Sequence, residues 1–181
     1  DRDSYDRLSD IEKAARTIYL NRTCFNGLYR VNRQGFFNTP CGKYKKPEIV
    51  NESRIRAIHE YLSSNRIEIR CGDYKDALKY IRAGAFVYFD PPYMPPENED
   101  ETFTQYTVDG FGEEKQRELK GICDMLTKKG VKFMLSNSCC SFIKELYKDY
   151  HIEIVQARRN ISADGKKRIL IDEVLVTNYK I

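Results

Sequence analysis

The sequence predicts an α/β fold: an open, mostly parallel sheet closed by one antiparallel hairpin, with a loop-rich module ahead of it. Three observations carry this. Short runs of β-formers at 67–71, 85–90 and 131–136 alternate with helical stretches, the pattern of strand–helix–strand units. The last two runs, 152–157 and 169–177, flank Asp164-Gly165, a hairpin turn signal. Residues 21–46 are aromatic, basic and glycine-punctuated, with no helical period.

Taken in order, Ser9-Asp10-Ile11-Glu12 is a capping-box pattern, and Ile11, Ala14, Ala15, Ile18 and Tyr19 follow at helical spacing. The texture then changes. Gly27, Gly35 and Gly42 interrupt interleaved aromatic and basic residues, and Asn26-Gly27 favours a tight turn. This stretch reads as an exposed hairpin module. A helix over 52–63 starts at an Asn51 cap, with Ile55, Ile58, His59 and Leu62 on one face. His59 on that stripe reads as a partly buried structural histidine rather than a ligand.

The run at 67–71 ends in Gly72-Asp73-Tyr74, a short helix passes through Ala77, Leu78 and Ile81, and the run at 85–90 follows. That order implies a right-handed crossover and parallel pairing, which puts Asp73 and Asp90 at the same carboxyl edge of the sheet. Residues 94–108 carry Glu97, Glu99, Asp100 and Glu101 without periodicity. They read as a loop beside the site, either a lid that orders on binding or a solvated connection. The helix over 113–129 turns Leu119, Ile122, Cys123 and Leu126 inward and stops at Gly130. A strand at 131–136 leads to a short helix through Phe142, Ile143, Leu146 and Tyr147, and the closing hairpin has a basic tip at 158–168.

One stretch concentrates the chemistry. Phe86-Val87-Tyr88-Phe89 runs into Asp90-Pro91-Pro92-Tyr93. Continuous β-formers predict a fully buried strand, and two prolines, with no N–H to give a ladder, end it at Asp90. A carboxylate and an aromatic ring then stand on a stiff turn at the carboxyl end of a strand, where open α/β sheets bind ligands. That geometry suits methyl transfer to an exocyclic amino group. Such a nitrogen is a poor nucleophile, because its lone pair is delocalised into the ring. Two acceptors gripping both N–H bonds, the Asp90 carboxylate and the Pro91 carbonyl, would draw it toward tetrahedral geometry while Tyr93 stacks on the base. An ordinary strand-to-loop turn uses similar residues. By average usage, though, the tetrapeptide arises by chance in roughly one chain in a thousand of this length.

With 181 residues, 41% hydrophobic and 32% charged, the chain can bury one sizeable core, and two full domains are not expected. No run approaches a membrane span, no signal-peptide pattern opens the chain, and the six cysteines include no C-x-x-C pair. Free thiols in a reducing cytoplasm are the expectation, and with two histidines no metal site is expected. The net charge of +4 is uneven. Residues 21–56 hold eight basic residues, among them Arg22, Lys43, Lys45 and Lys46, against two acidic ones. A basic field of this kind suits a polyanion, and equally a solvated lysine-rich face. Arg159, Lys166 and Lys167 on the hairpin tip form a second candidate phosphate contact.

With these blocks together, the chain resembles the Dam-type, D12-class DNA adenine-N6 methyltransferases over nearly its whole length. The resemblance rests on Tyr19-Leu20-Asn21-Arg22, Phe25-Asn26-Gly27-Leu28-Tyr29-Arg30, Gly42-Lys43-Tyr44-Lys45-Lys46-Pro47, Asp90-Pro91-Pro92-Tyr93, Leu135-Ser136-Asn137 and Arg158-Arg159-Asn160-Ile161-Ser162. It implies a partial Rossmann-like, S-adenosylmethionine-dependent methyltransferase sheet with an inserted DNA-recognition module. It also implies methylation of adenine N6 in duplex DNA, at GATC, by base flipping. The implied division is a linking helix at 1–20, a target-recognition region at 21–56 and a catalytic core at 57–181. At matching positions Phe25 and Asn26 would enter the opened stack, Leu28 and Pro40 would lie against bases, and Arg30 would read a guanine. Asp90, Pro91, Pro92 and Tyr93 would form the catalytic turn, and Asp73, Tyr74 and Asp90 would hold the cofactor. A cognate restriction endonuclease at the same site, or a solitary role, both remain open.

One departure is large. The family's amino-terminal Phe-x-Gly-x-Gly strand-turn, and the acidic residue after it, do not occur here, and the sequence has no initiating Met. Two strand–helix units are missing from the expected sheet, about 60 residues at roughly 30 per unit. The expectation is a truncated or partial form with little catalysis by itself. Two other readings stay open: a non-catalytic DNA-binding fragment, or the same chemistry on RNA adenine, cytosine N4 or a glutamine amide.

Overall fold

The computed structural model describes residues 5–32, 34–95, 111–158 and 170–180. They belong to two compact units, Asp1–Cys71 and Gly72–Ile181. The expected loop at 94–108 lies outside the described residues from 96 onward, and the hairpin tip at 158–168 from 159 onward.

In the first unit, α1 (Asp10–Thr23) opens on the capping box: Glu12 N–H donates to Ser9 Oγ, and Ser9 N–H donates to Glu12 Oε2 at 2.8 Å. Helix α2 (Glu52–Ser64) starts where Arg54 N–H donates to Asn51 Oδ1 at 3.0 Å. Neither helix buries a residue. The stripe of Ile55, Ile58 and His59 forms as expected but is exposed, so His59 is not the partly buried histidine its spacing suggested. Between the helices the chain is held by local pairing: Cys24 faces Cys41, Val31 faces Phe37, and of these Cys24 and Phe37 are buried.

The second unit comprises α3 (Tyr74–Leu78), β1 (Phe86–Phe89), α4 (Glu113–Lys128), β2 (Lys132–Ser138), α5 (Ser141–Leu146), β3 (His151–Arg158) and β4 (Leu170–Thr177). The strands lie in the order β1-β2-β4-β3. β1 runs parallel to β2 with Phe89 opposite Leu135, and β4 is antiparallel to both β2 and β3. The closing hairpin is therefore present, with β4 returned between β2 and β3. One described pairing in three is parallel, so the described sheet is mixed rather than mostly parallel.

Alternation decides what this sheet buries. Val87, Phe89, Phe133, Leu135, Val174 and Val176 share the core with Leu119, Cys123 and Leu126 of α4 and Ile143 of α5. Fully buried Leu and Phe side chains of this kind are worth about 1.5–3 kcal/mol each. On the opposite face Phe86 and Tyr88 are 56% and 54% exposed. Among the described residues β1 is thus an edge strand with one buried face, not the fully buried strand its composition predicted. Continuous apolar character cannot separate those cases when the outward residues are aromatic.

Residues 67–71 form no strand and are exposed. β-forming side chains give a strand only where a neighbour completes the ladder, and the first unit offers them none. The expected crossover to β1 is consequently not formed. All six cysteines are free. Among the described residues no helix is long and apolar enough to cross a membrane.

Candidate active site and nucleic-acid interface

Asp90 follows β1 directly, and the two prolines after it carry the chain off the sheet edge. By strand alternation Asp90 continues the outward row of Phe86 and Tyr88, and Ser136 of β2 lies on the same face. Ser136 Oγ donates to Asp90 Oδ1 at 3.1 Å, and Tyr88 OH donates to Ser136 Oγ at 3.1 Å. This short relay fixes one carboxylate oxygen. Among the described residues Oδ2 meets no donor and the Pro91 carbonyl accepts no hydrogen bond.

Tyr93 lies on the same turn, with its OH 3.4 Å from Glu173 Oε2 on β4. Burial holds the Tyr93 phenol above its ordinary pKa, and the nearby Glu173 and Asp90 carboxylates add to the effect. Pro92 is held differently: its carbonyl accepts from Gln116 Nε2 of α4 at 3.0 Å. The predicted catalytic residues thus come together on one turn.

Asp73 caps α3, its Oδ1 accepting from Lys75 N–H at 2.9 Å, and Lys75 in turn reaches Glu118 of α4 at 2.7 Å. With 67–71 not a strand, Asp73 does not reach the sheet edge in the expected way, and no described contact joins it to Asp90. Tyr74 beside it packs against the core, and its buried OH has no partner among the described residues. The Asp73 carboxylate is half exposed and can accept a further hydrogen bond, whereas the Tyr74 OH is buried. No group of three or more His, Cys, Asp or Glu able to hold a metal occurs among the described residues.

Of the predicted DNA-contacting residues of the first unit, Phe25, Asn26, Leu28, Arg30 and Pro40 lie between the paired Cys24 and Cys41, Arg22 ends α1, and Lys43, Lys45 and Lys46 follow the pairing. Phe25-Asn26-Gly27 is a single 3-10 turn in which Asn26 takes a positive φ of 53°. Asparagine tolerates that conformation better than most residues. Phe25 N–H donates to the Pro40 carbonyl at 2.9 Å, and Thr39 Oγ1 donates to the Leu28 carbonyl at 2.8 Å. Arg30 is oriented by Asn38, donating from Nε to its Oδ1 at 2.9 Å and from Nη2 to its carbonyl at 3.2 Å. Phe25, Asn26, Arg30 and Pro40 are exposed and Leu28 is half-buried. Arg22, Lys43, Lys45 and Lys46 are exposed and make no ion pair among the described residues. Arg159, Lys166 and Lys167 lie outside the described residues.

Several residues that matter here carried no role in the sequence reading. Ser136 and Asn137 were part of a recognised block without a function, and Tyr88, Gln116 and Glu173 were not singled out. A signal was present for three of them. Gln116 is polar at helical spacing from Leu119 and Cys123, and Ser136-Asn137-Ser138 ends an apolar strand.

The mixed α/β unit with its open four-strand sheet is consistent with a methyltransferase domain. The comparisons agree. A family model described as D12 class N6 adenine-specific DNA methyltransferase matches residues 1–161. The Type II methyltransferase M1.LlaDCHI of Lactococcus lactis subsp. cremoris is 47% identical over 180 residues, 99% of this chain and 63% of that protein. The Type II methyltransferase M.MjaIII of Methanocaldococcus jannaschii is 42% identical over 172 residues, 94% of this chain and 58% of that protein. The DNA adenine methylase of Escherichia coli is 31% identical over 175 residues, 96% and 62% of the two chains. The chain belongs to the D12 class N6 adenine-specific DNA methyltransferases. It spans about six tenths of the length of these relatives.

Proposed function

We propose that this chain carries the target-recognition and catalytic parts of an S-adenosylmethionine-dependent enzyme that methylates adenine N6 in duplex DNA, at GATC, on a flipped-out base. The observation that carries the reading is a pair of acceptors on one proline-stiffened turn, Asp90 Oδ2 and the Pro91 carbonyl, that meet no donor among the described residues, with Oδ1 already fixed by Ser136. An amino group has two N–H bonds and needs two acceptors set at a fixed angle. Gripping both localises the nitrogen lone pair, and the prolines hold the acceptors still with little loss of entropy. Tyr93, kept neutral, stacks on the extruded base. The cofactor, when bound, supplies the electrophilic methyl group; Asp73 and Tyr74 would hold its adenosyl part.

The hairpin of residues 24–41 is read as the base-contacting element. Phe25 and Asn26 fill the opened stack, Leu28 and Pro40 lie against bases, and Arg30 reads a guanine edge. The exposed cations Arg22, Lys43, Lys45 and Lys46 meet phosphates, as do Arg159, Lys166 and Lys167.

Asp90→Ala in the longest natural polypeptide that carries this chain tests the reading. Methylation of a GATC duplex, followed with labelled cofactor, should fall by more than about a thousandfold, since a transition-state contact of this kind is worth several kcal/mol. Duplex affinity should stay within a few-fold. Methylation that survives the substitution removes Asp90 from the chemistry.

A further inference from the structure

The catalytic turn has a mechanical problem that follows from its sequence. Pro91 and Pro92 have no N–H, so the turn cannot be tied down by its own amides at the two positions where rigidity matters most. The ties come instead from the helical face of the sheet. Gln116 of α4 and Asn137 of β2 are both 0% exposed. Gln116 Nε2 donates to the Pro92 carbonyl at 3.0 Å, and Asn137 Nδ2 donates to Gln116 Oε1 at 3.1 Å. Asn137 Oδ1 then accepts from Met94 N–H at 2.9 Å and from Ser138 N–H at 2.9 Å. Ser138 Oγ donates to the Met94 carbonyl and completes the loop.

The direction of every bond in this chain is forced. The Pro92 carbonyl can only accept, so Gln116 must present its NH₂ there and its oxygen to Asn137. Asn137 must then present its oxygen to two backbone N–H donors. No amide can be flipped without leaving two groups unpaired, each at about 1–3 kcal/mol. Packing alone does not explain the residue types. Gln116 stands one turn from Leu119 on the buried face of α4, where an apolar side chain would fill the volume with no polar group to satisfy.

We propose that Gln116 and Asn137 are positioning residues: a buried amide pair that grips the turn on both sides of Tyr93, at Pro92 and Met94, and so sets the angle at which Asp90 and the Pro91 carbonyl meet the substrate amino group. The two faces of the sheet divide the labour. Ser136 and Tyr88 orient the carboxylate from the open face, and Gln116 and Asn137 hold the backbone from the helical face. This rests on the reading of the turn as the methylation site, and it adds residues that touch neither substrate nor cofactor.

Gln116→Met in the full natural chain is the test, because it keeps length and volume while removing both hydrogen bonds. Two readouts are taken. Exchange of the Met94 amide, measured by NMR, should speed up by about tenfold or more while the amides of β2 stay protected; this does not depend on activity. The kcat for duplex methylation should fall by about 10- to 100-fold, the scale of a misplacement near 1 Å, with KM for DNA and for cofactor within twofold. Unchanged exchange at Met94 overturns the brace. Faster exchange with an unchanged kcat, or a kcat loss matched by rising KM values, overturns the positioning role. If Gln116→Met does not fold, Gln116→Leu, which also removes both hydrogen bonds, is read the same way. Failure of both to fold assigns the residue to the core and overturns the proposal. A wild-type protein inert on adenine in duplex DNA refutes the methylation reading instead, and the Met94 exchange still decides the brace.

Discussion

Ser136 stands between two groups with different needs. Asp90 requires a donor to hold one carboxylate oxygen, and Tyr88, half exposed on the open face, requires an acceptor for its hydroxyl; one serine serves both at 3.1 Å. Removing the hydroxyl leaves Tyr88 to water but lets the Asp90 carboxylate rotate. Ser136→Ala is therefore expected to lower kcat about tenfold, equivalent to about 1.4 kcal/mol in the transition state, with KM for DNA little changed. Steady-state methylation kinetics measure this, and a purely KM effect would place Ser136 in binding rather than in orienting Asp90. At this scale the sequence was partly legible. Asp90, Pro91, Pro92 and Tyr93 declare themselves because carboxylate, proline and aromatic are adjacent in the chain. Their supports do not, since Ser136 and Gln116 reach the turn only across a parallel strand pair and a helix packed beneath it. No local pattern encodes that kind of neighbour.

The elements of the second unit are joined by polar contacts that titrate. Where α4 meets the segment entering β3, Tyr150 OH donates to Asp124 Oδ1 at 2.6 Å and Lys120 Nζ reaches Asp124 at 2.9 Å. Burial pushes the Tyr150 phenol up to about 12, helped by its bond to Asp124. Burial also raises the Asp124 carboxyl, but Tyr150 and Lys120 outweigh it, so that group lies below its ordinary value. A carboxyl depressed in the folded state adds stability above its unfolded pKa and loses it as pH falls through the folded value. A phenol raised in the folded state adds stability below about pH 10 and loses it toward about 12. Tyr150→Phe keeps the ring against Phe133, at 5.1 Å between centroids, and deletes the donor. We expect a loss of about 1 kcal/mol at pH 7, the low end for a charged hydrogen bond because the pair is partly exposed. The difference from wild type should shrink as pH drops below the carboxylate range; urea denaturation at pH 7 and pH 3 reads both. Elements with a long period or a strong cap were legible: α1, α4 and the β3–β4 pair fall where spacing put them. The run at 67–71 and the burial of β1 were not, because strand formation depends on who lies alongside, and residue type within a strand does not carry that information.

Charge divides between the two units of the molecule. Residues 1–71 hold fourteen Lys and Arg against nine Asp and Glu, a net of +5, while the remaining residues sum to −1. Binding to a polyanion should therefore be driven from the first unit and should weaken linearly with the logarithm of salt, by about 0.9 per phosphate neutralised. Two substitutions in this unit separate the roles assigned to its cations. Lys45 is exposed and free of ion pairs among the described residues, which suits a phosphate contact. Lys45→Ala should weaken every duplex alike and reduce the salt slope by about 1. Arg30 is held by Asn38 through Nε and Nη2, leaving other guanidinium N–H groups for a bidentate contact with a guanine edge. Arg30→Ala should cost about 1–3 kcal/mol on GATC and much less on duplexes altered at that guanine, so preference relaxes more than affinity falls. Fluorescence anisotropy on matched and altered duplexes between 50 and 200 mM salt resolves the two effects. An equal loss on all sequences for Arg30→Ala would make it a phosphate contact, and recognition would then have to come from the Phe25-Asn26 turn or from Leu28 and Pro40.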